Sequence, residues 1–383
     1  MAQSFDICIR GTGVVGRAAA LLLARAGLRV ALVAPGAGHG GQDVRAYALN
    51  AASRGLLESV RAWPEAPHVT AVQRMQVWAD EGGAVQFDAQ AQGVEALAWI
   101  VDVPALEQRL QEAIGFQPLV ELVAAPVAAP VAAPLTVVCE GRASRTRAEF
   151  GVEFAVTPYG QDAIATRLIC EHGHGAVARQ WFGADGSILA FLPLAGAEGN
   201  SVAVVWSVPH GQTQNRLAMD EAGFASALQG ASRGVLGALT VSAPRACWPL
   251  VQARAARWCG AFPMQASGQA SDRAWVLAGD AAHAVHPLAG QGLNLGLADV
   301  AVLVRVLQAR ESWRPLADLR LLRRYERQRG SAVAGAQLAM DGLQQLFARA
   351  DAPLPSLRNR GMNLFDHCTP LKGWVSRRAM GVA

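Results

Sequence analysis

Two glycine-bearing clusters have the residue types and spacing to hold an anionic, ring-bearing ligand. The first is Gly11-Thr12-Gly13-Val14-Val15-Gly16. In such a run the first glycine permits a tight turn, the second lets backbone approach a pyrophosphate, and the third lets helix and strand pack closely. The helix that follows offers unpaired N–H groups and a partial positive charge to phosphate. The second cluster is Gly279-Asp280-Ala281-Ala282-His283, then Pro287-Leu288-Ala289-Gly290-Gln291-Gly292-Leu293-Asn294. A carboxylate at a strand end can accept from a ribose or ribityl hydroxyl. Gly290 and Gly292 open a helix whose bare N–H groups can face an electron-rich ring carbonyl and stabilise negative charge developing there. His283 and His286 have two readings, acid–base chemistry or loop contacts.

These clusters need particular elements to position them. Phe5 to Ile9 reads as a buried strand, Arg17 to Ala26 as an Ala/Leu helix stopped by Gly27, and Arg29 to Val33 as a second strand. That βαβ unit predicts a doubly wound parallel sheet. Alternation over 69–90 predicts strands, and 105–114 a helix. Strand-like runs follow at 187–192 and 201–206, helical ones near 220–229 and 232–238. Trp275 to Ala278 reads as a strand, Leu293 to Ala309 as a helix, and 317–349 as two more helices. A Val-Ala-Ala-Pro repeat places Pro126, Pro130 and Pro134 at every fourth position, which forbids a helix and predicts a linker or sheet edge. The expected organisation is a discontinuous dinucleotide domain (1–70, 97–150, 265–316), an inserted sheet-rich substrate domain (71–96, 151–264), and a C-terminal helical region (317–383).

Composition narrows the classes. The chain is 52% apolar and 17% charged with a formal charge of +4, so disorder is excluded and nucleic-acid binding is not indicated. Six cysteines without a CxxC pair give no zinc or disulfide framework. No run of 18 apolar residues and no secretory start is present, which predicts a cytoplasmic protein. Residues 356–383 carry Arg358, Arg360, Lys372, Arg377 and Arg378 against Asp366, interleaved with Leu364, Phe365, Leu371 and Trp374. That segment suits either an anionic membrane surface or partner, or a helix packed on the dinucleotide domain.

At these residues the chain resembles the class A FAD-dependent aromatic hydroxylases, the group of para-hydroxybenzoate hydroxylase, and within it the ubiquinone-biosynthesis hydroxylases. The likeness includes the N-terminal glycines, Arg45 to Asn50, Gln180-Trp181-Phe182, the Gly279 to Asn294 block and Tyr325-Glu326-Arg327-Gln328-Arg329. It continues in Arg358-Asn359-Arg360-Gly361 and Pro370-Leu371-Lys372. The resemblance implies FAD as cofactor, NAD(P)H as electron donor, O2 as co-substrate and an aromatic ring, prenylated in this branch, as the group hydroxylated. It implies FAD contacts at Gly11, Gly13, Val14, Val15, Gly16, Arg45, Glu140, Gly279, Asp280, Pro287, Gly290, Gln291, Gly292, Leu293 and Asn294. Trp181 reads equally as a ring-pocket residue or a sheet-core residue, and Cys139 as a small buried hydrophobe. Two other readings exist: an assembly subunit of ubiquinone biosynthesis with little catalysis, and a pyridine-nucleotide dehydrogenase, in which the Gly279 to Asn294 block would have no role.

The chain departs from the family at three places. The acid that usually ends the second strand is replaced by Val33-Ala34-Pro35-Gly36, and the next carboxylate is Asp43. The family's Asp-Gly turn reads Glu140-Gly141, followed by Ser144 and Arg145. Upstream of it stands the Pro/Ala repeat in place of the usual β segment. The longer carboxylate of Glu140 is expected to disturb how FAD and a nicotinamide are positioned.

Overall fold

The computed structural model describes residues 4–34, 43–79, 82–124, 131–196, 198–262, 272–285 and 290–348, with side chains to 338. His286, Pro287, Pro126, Pro130 and the 356–383 segment lie outside the described residues.

Three sheets organise the chain. A six-stranded sheet has the spatial order β16 (Cys259–Ala261), β17 (Ala274–Leu277), β9 (Leu135–Val138), β1 (Ile7–Arg10), β2 (Val30–Val33) and β8 (Val120–Val123). All its pairings are parallel except β16 with β17. Its central strands are buried on both faces, as parallel strands covered by helices must be, and so read as unbroken apolar runs. The β8 strand that leads into the Pro/Ala repeat is an edge, where proline is tolerated.

The larger sheet runs β18 (His283–Ala284), β15 (Ala246–Ala255), β10 (Phe154–Cys170), β13 (Ser201–Pro209), β12 (Ile188–Pro193), β11 (Val177–Phe182), β5 (Arg74–Trp78), β6 (Ala84–Asp88), with β14 (Leu239–Val241) also paired to β10. A register shift between Pro158 and Asp162 breaks the long β10–β15 ladder. The third sheet is small: β3 (Ala46–Leu49), β7 (Ala98–Asp102) and β4 (Val69–Val72).

Helix α1 (Val14–Arg25) fills the βαβ unit and buries Ala18, Ala19, Ala20, Leu21, Leu23 and Ala24. Helices α2 (Ala51–Ser59), α3 (Val103–Gly115) and the short α4 (Arg145–Glu149) follow. Then α5 (His210–Ala218) and α6 (Glu221–Ala231) cover one face of the large sheet. Finally α7 (Gln291–Gln308) and α8 (Leu319–Ala348) pack on each other beside the six-stranded sheet.

Two helix expectations need correcting. Residues 232–238 are turns, because Arg233, Gly234 and Gly237 take left-handed backbone angles that end α6. The stretch expected to form two helices near 317–349 is the single helix α8. Glycines 330 and 335 do not divide it, since Leu322, Tyr325 and Val333 are fully buried along it and tertiary packing overrides local propensity. Among the described residues no helix is long and apolar enough to cross a membrane.

Candidate active site

One cavity of about 510 Å³ joins the ends of the six-stranded sheet to a face of the large sheet. Gly13, Val14 and Val15 line it from α1, Arg45 and Asp280 from neighbouring loops, and Gly290, Gln291, Gly292, Leu293 and Asn294 from the start of α7. Segments nearly 280 residues apart in sequence therefore meet in one space. Gly11, Gly16, Gly279 and Glu140 do not line it.

The glycines divide by what a Cβ would meet. At Gly11, with φ of +110°, it would lie 2.4 Å from the Cys139 carbonyl oxygen. At Gly16 it would lie 2.0 Å from the Gly11 carbonyl oxygen. Both are demanded by the packing of β1, β9 and α1. Gly13 is different: its φ is −70°, open to any residue, and nothing stands within 4 Å of its would-be Cβ. The fold does not require glycine there, whereas a ligand pressed against the turn would. Helix α1 also has no side-chain cap and no acid in its first turn, so its N–H groups face the cavity unneutralised. The same holds for α7, whose N-cap Gly290 has φ of +64° and sits so that a Cβ would be 3.1 Å from that of Ala48. Gly292, like Gly13, has open space where a Cβ would go. These two bare glycine cradles fit a dinucleotide with a ring at its far end.

The β17 turn carries the acid. Asp280 is exposed at the cavity with protein packed around it, and no described residue hydrogen-bonds its carboxylate. Burial pushes its pKa up, partly offset by His283, Arg142 and Arg45. Arg45 is gripped by Asp43, with Nε 2.9 Å from Oδ1 and Nη2 2.5 Å from Oδ2. Asp43 is thereby held below the usual carboxylate range despite its burial.

The support beneath this turn was not visible in the sequence reading. Asp299, on α7, is fully buried and accepts from Gly279 N at 2.9 Å, His283 Nε2 at 2.6 Å and Arg329 Nε at 2.7 Å. Burial alone would raise its pKa; His283 and Arg329 outweigh that and hold it low. His283 also stacks on Trp258 at 5.0 Å and is 2% exposed, which makes it a structural contact of the turn. The available signal was a lone acid in the otherwise apolar run Leu297-Ala298-Asp299-Val300. Gly296 was missed likewise: a Cβ there would lie 2.8 Å from Val15.

Asn294 spends its amide on the fold, donating to Ala48 O at 2.8 Å and accepting from Asn50 N at 3.0 Å and Ser53 Oγ at 2.7 Å. It ties α7 to β3 and α2. Glu140 is similarly engaged. Its carboxylate accepts from Ser144 Oγ at 2.8 Å, Thr146 N at 3.0 Å and Thr146 Oγ1 at 2.6 Å, with Arg10 Nε at 3.4 Å. These contacts hold its pKa down against burial. The extra methylene of Glu140 is taken up in reaching these donors at the start of α4.

The far end of the cavity is largely apolar, with Arg179, Gln180 and Ser207 as its polar residues from the large sheet. The large sheet presents Ala178, Ile188, Ala190, Leu192, Val205 and Trp248 to it, and Met75, Phe87, Leu97 and Ile100 close the sides. Trp181 points the other way, stacked on Trp78 at 5.1 Å in the core under α6.

Comparison with known proteins agrees with this arrangement. The chain is 29% identical to the 3-demethoxyubiquinol 3-hydroxylase of Escherichia coli (strain K12) over 99% of each chain. It is 28% identical to the ubiquinone hydroxylase UbiL of Rhodospirillum rubrum, over 98% of this chain and 89% of that one. In fold it matches p-nitrophenol 4-monooxygenase PnpA from Pseudomonas putida DLL-E4 with a TM-score of 0.73 at 20% identity, over 99% and 97% of the two chains. The α/β architecture with its C-terminal helices is thus that of the FAD-dependent monooxygenases. The family described as FAD binding domain matches residues 88–339, well over half of the sequence, and the chain belongs to that family of FAD-binding proteins.

Proposed function

We propose that the protein is an FAD-dependent monooxygenase that places one atom of O2 on an aromatic ring, with NAD(P)H as electron donor. The ring is that of a polyprenylated phenol or quinol precursor of ubiquinone. The observation that carries this reading is the shared cavity: glycine cradles for a dinucleotide open directly onto a largely apolar chamber, so a flavin ring and a substrate ring share one space. The names of the full-length relatives support the same chemistry.

FAD, when bound, supplies the redox chemistry and the activation of oxygen. The chain's own residues bind and orient. Gly13, Val14 and Val15 receive the pyrophosphate at the α1 N-terminus. Asp280 accepts from a hydroxyl of the ribityl chain, while Arg45 borders the same stretch. Gly290, Gln291, Gly292 and Leu293 set the positive end of α7 against the ring carbonyls, where it stabilises negative charge. Gly11, Gly16 and Gly279 shape the turns, and Asn294 fixes α7. The six-stranded sheet serves the cofactor and the large sheet the ring substrate. A lipid-linked substrate gives the basic 356–383 segment a use at an anionic membrane surface or in a biosynthetic complex. Truncation after Leu354 should then reduce binding to anionic vesicles.

The test is Gly13→Val. A side chain has room in the ligand-free protein, so the fold should persist while flavin binding is abolished. A folded Gly13→Val protein with unchanged flavin content would sink the assignment.

A further inference from the structure

The chamber wall of the large sheet is apolar except at Gln180, Ser207 and Arg179, the last of which donates to the His174 carbonyl oxygen. Along β11, β12 and β13 side chains alternate strictly. Trp181, Leu189, Phe191, Val204 and Trp206 enter the core under α6, and Ala178, Ala190, Leu192 and Val205 face the chamber. Gln180 and Ser207 fall on the chamber face by this register, and both line the cavity.

Both are buried, Gln180 at 7% exposure and Ser207 at 3%. No hydrogen bond is formed by either side chain with any described residue. Buried polar side chains are normally paired, because leaving one unpaired is costly, and the polar atoms of these two instead keep access to the chamber. Other amides near the cleft obey that rule: Asn294 makes three bonds and Gln161 donates to Gly186 O at 2.8 Å. Gln180 also has space before it. Its neighbours in the row across the sheet are Val77, Ala190 and Val205, so no polar neighbour competes for the amide. Ser207 stands one row further along, opposite Ile188.

From this we infer that Gln180 and Ser207 are the specificity-determining anchors of the chamber, hydrogen-bonding the oxygen substituents of the ring while the surrounding wall takes its hydrocarbon. The inference rests on reading the chamber as the ring site. Its consequence is selectivity: a site built to bond an oxygen rejects the analogue lacking it, because the site's polar groups then stay unpaired.

The FAD-loaded protein tests this with two probes differing by one oxygen, 4-hexylphenol and hexylbenzene, titrated by their perturbation of the flavin absorption spectrum. The parent should bind the phenol about tenfold more tightly or better. Gln180→Leu should remove most of that preference by weakening the phenol and leaving hexylbenzene as tight or tighter. Ser207→Ala should remove a smaller part. Gln180→Met serves if the leucine variant loses flavin. A preference unchanged in the glutamine and serine variants overturns the anchors while leaving the chamber reading intact. Failure of both probes to perturb the flavin of the parent overturns the chamber reading and the anchors with it.

Discussion

Strands β9 and β17 lie side by side, Val138 opposite Leu277, and each runs directly into a turn that pairs an acid with a glycine. The two turns use the same chemistry in opposite ways. Glu140 is followed within six residues by the hydroxyls of Ser144 and Thr146 and the Thr146 N–H, and all three bond it. Asp280 is followed by Ala281 and Ala282, which offer no side-chain donor, and its carboxylate is left open to the cavity. One acid has its pKa held down by donors, the other pushed up by burial. The difference lies in the residues just after each strand-end acid, which supply donors in one turn and none in the other.

The β17 turn can stay open only because it is held from below. Asp299 bonds the Gly279 N–H and also neutralises the Arg329 side chain. Asp299→Asn would leave a buried guanidinium without its counter-charge, which typically costs about 3–5 kcal/mol. This is the largest effect expected. Chemical denaturation should show it, together with loss of flavin as the turn moves. A variant as stable as the parent would mean the turn stands on backbone packing alone.

Next in size is Asp280→Ala. Losing a hydrogen bond to a charged group costs about 1.5–3 kcal/mol, hence roughly ten- to a hundredfold in flavin affinity, with no loss of fold stability. A flavin titration matching the parent would erase the contrast between the two turns. Glu140→Asp should do the converse. The shorter side chain cannot span all three donors, so about 1 kcal/mol of stability goes, while anaerobic flavin reduction by NAD(P)H keeps the parent rate. Faster reduction in Glu140→Asp would restore the role in nicotinamide positioning that the sequence alone suggested.

Much of this was legible from spacing. The βαβ unit, its glycine turn and the Gly279 to Asn294 block were readable because each depends on neighbours within about 20 residues. What was hidden depends on distant partners. The bonds from Ser144 and Thr146 to Glu140 were hidden because they require α4, a five-residue helix too short for periodicity to reveal. Asp299 carried no motif, and its meaning lies in Arg329 and Gly279, brought together only when α7 and α8 pack. Gly330 and Gly335 signalled a break in α8 that buried Tyr325 and Val333 override. Gln180 was noticed as part of a resemblance, but only strand register shows which face of the sheet it occupies.

The smallest effect is a pH dependence of opposite sign at the two turns. In the flavin-free protein Asp280 has its pKa raised above the ordinary 3.8. The folded state therefore holds that proton more tightly than the unfolded chain. Its stabilising contribution is complete below 3.8 and is lost as pH rises through the raised value. Glu140 is lowered from the ordinary 4.5. Its contribution is complete above 4.5 and is lost as pH falls through the depressed value. Relative to Asp280→Asn, the parent should lose stability on going from acid to neutral pH. Relative to Glu140→Gln, it should gain stability over the same change. Urea unfolding of the three flavin-free proteins at a series of pH values measures both slopes. Slopes of the same sign would mean that Asp280 is as well partnered as Glu140, and that the open carboxylate of the β17 turn has found a donor within the protein.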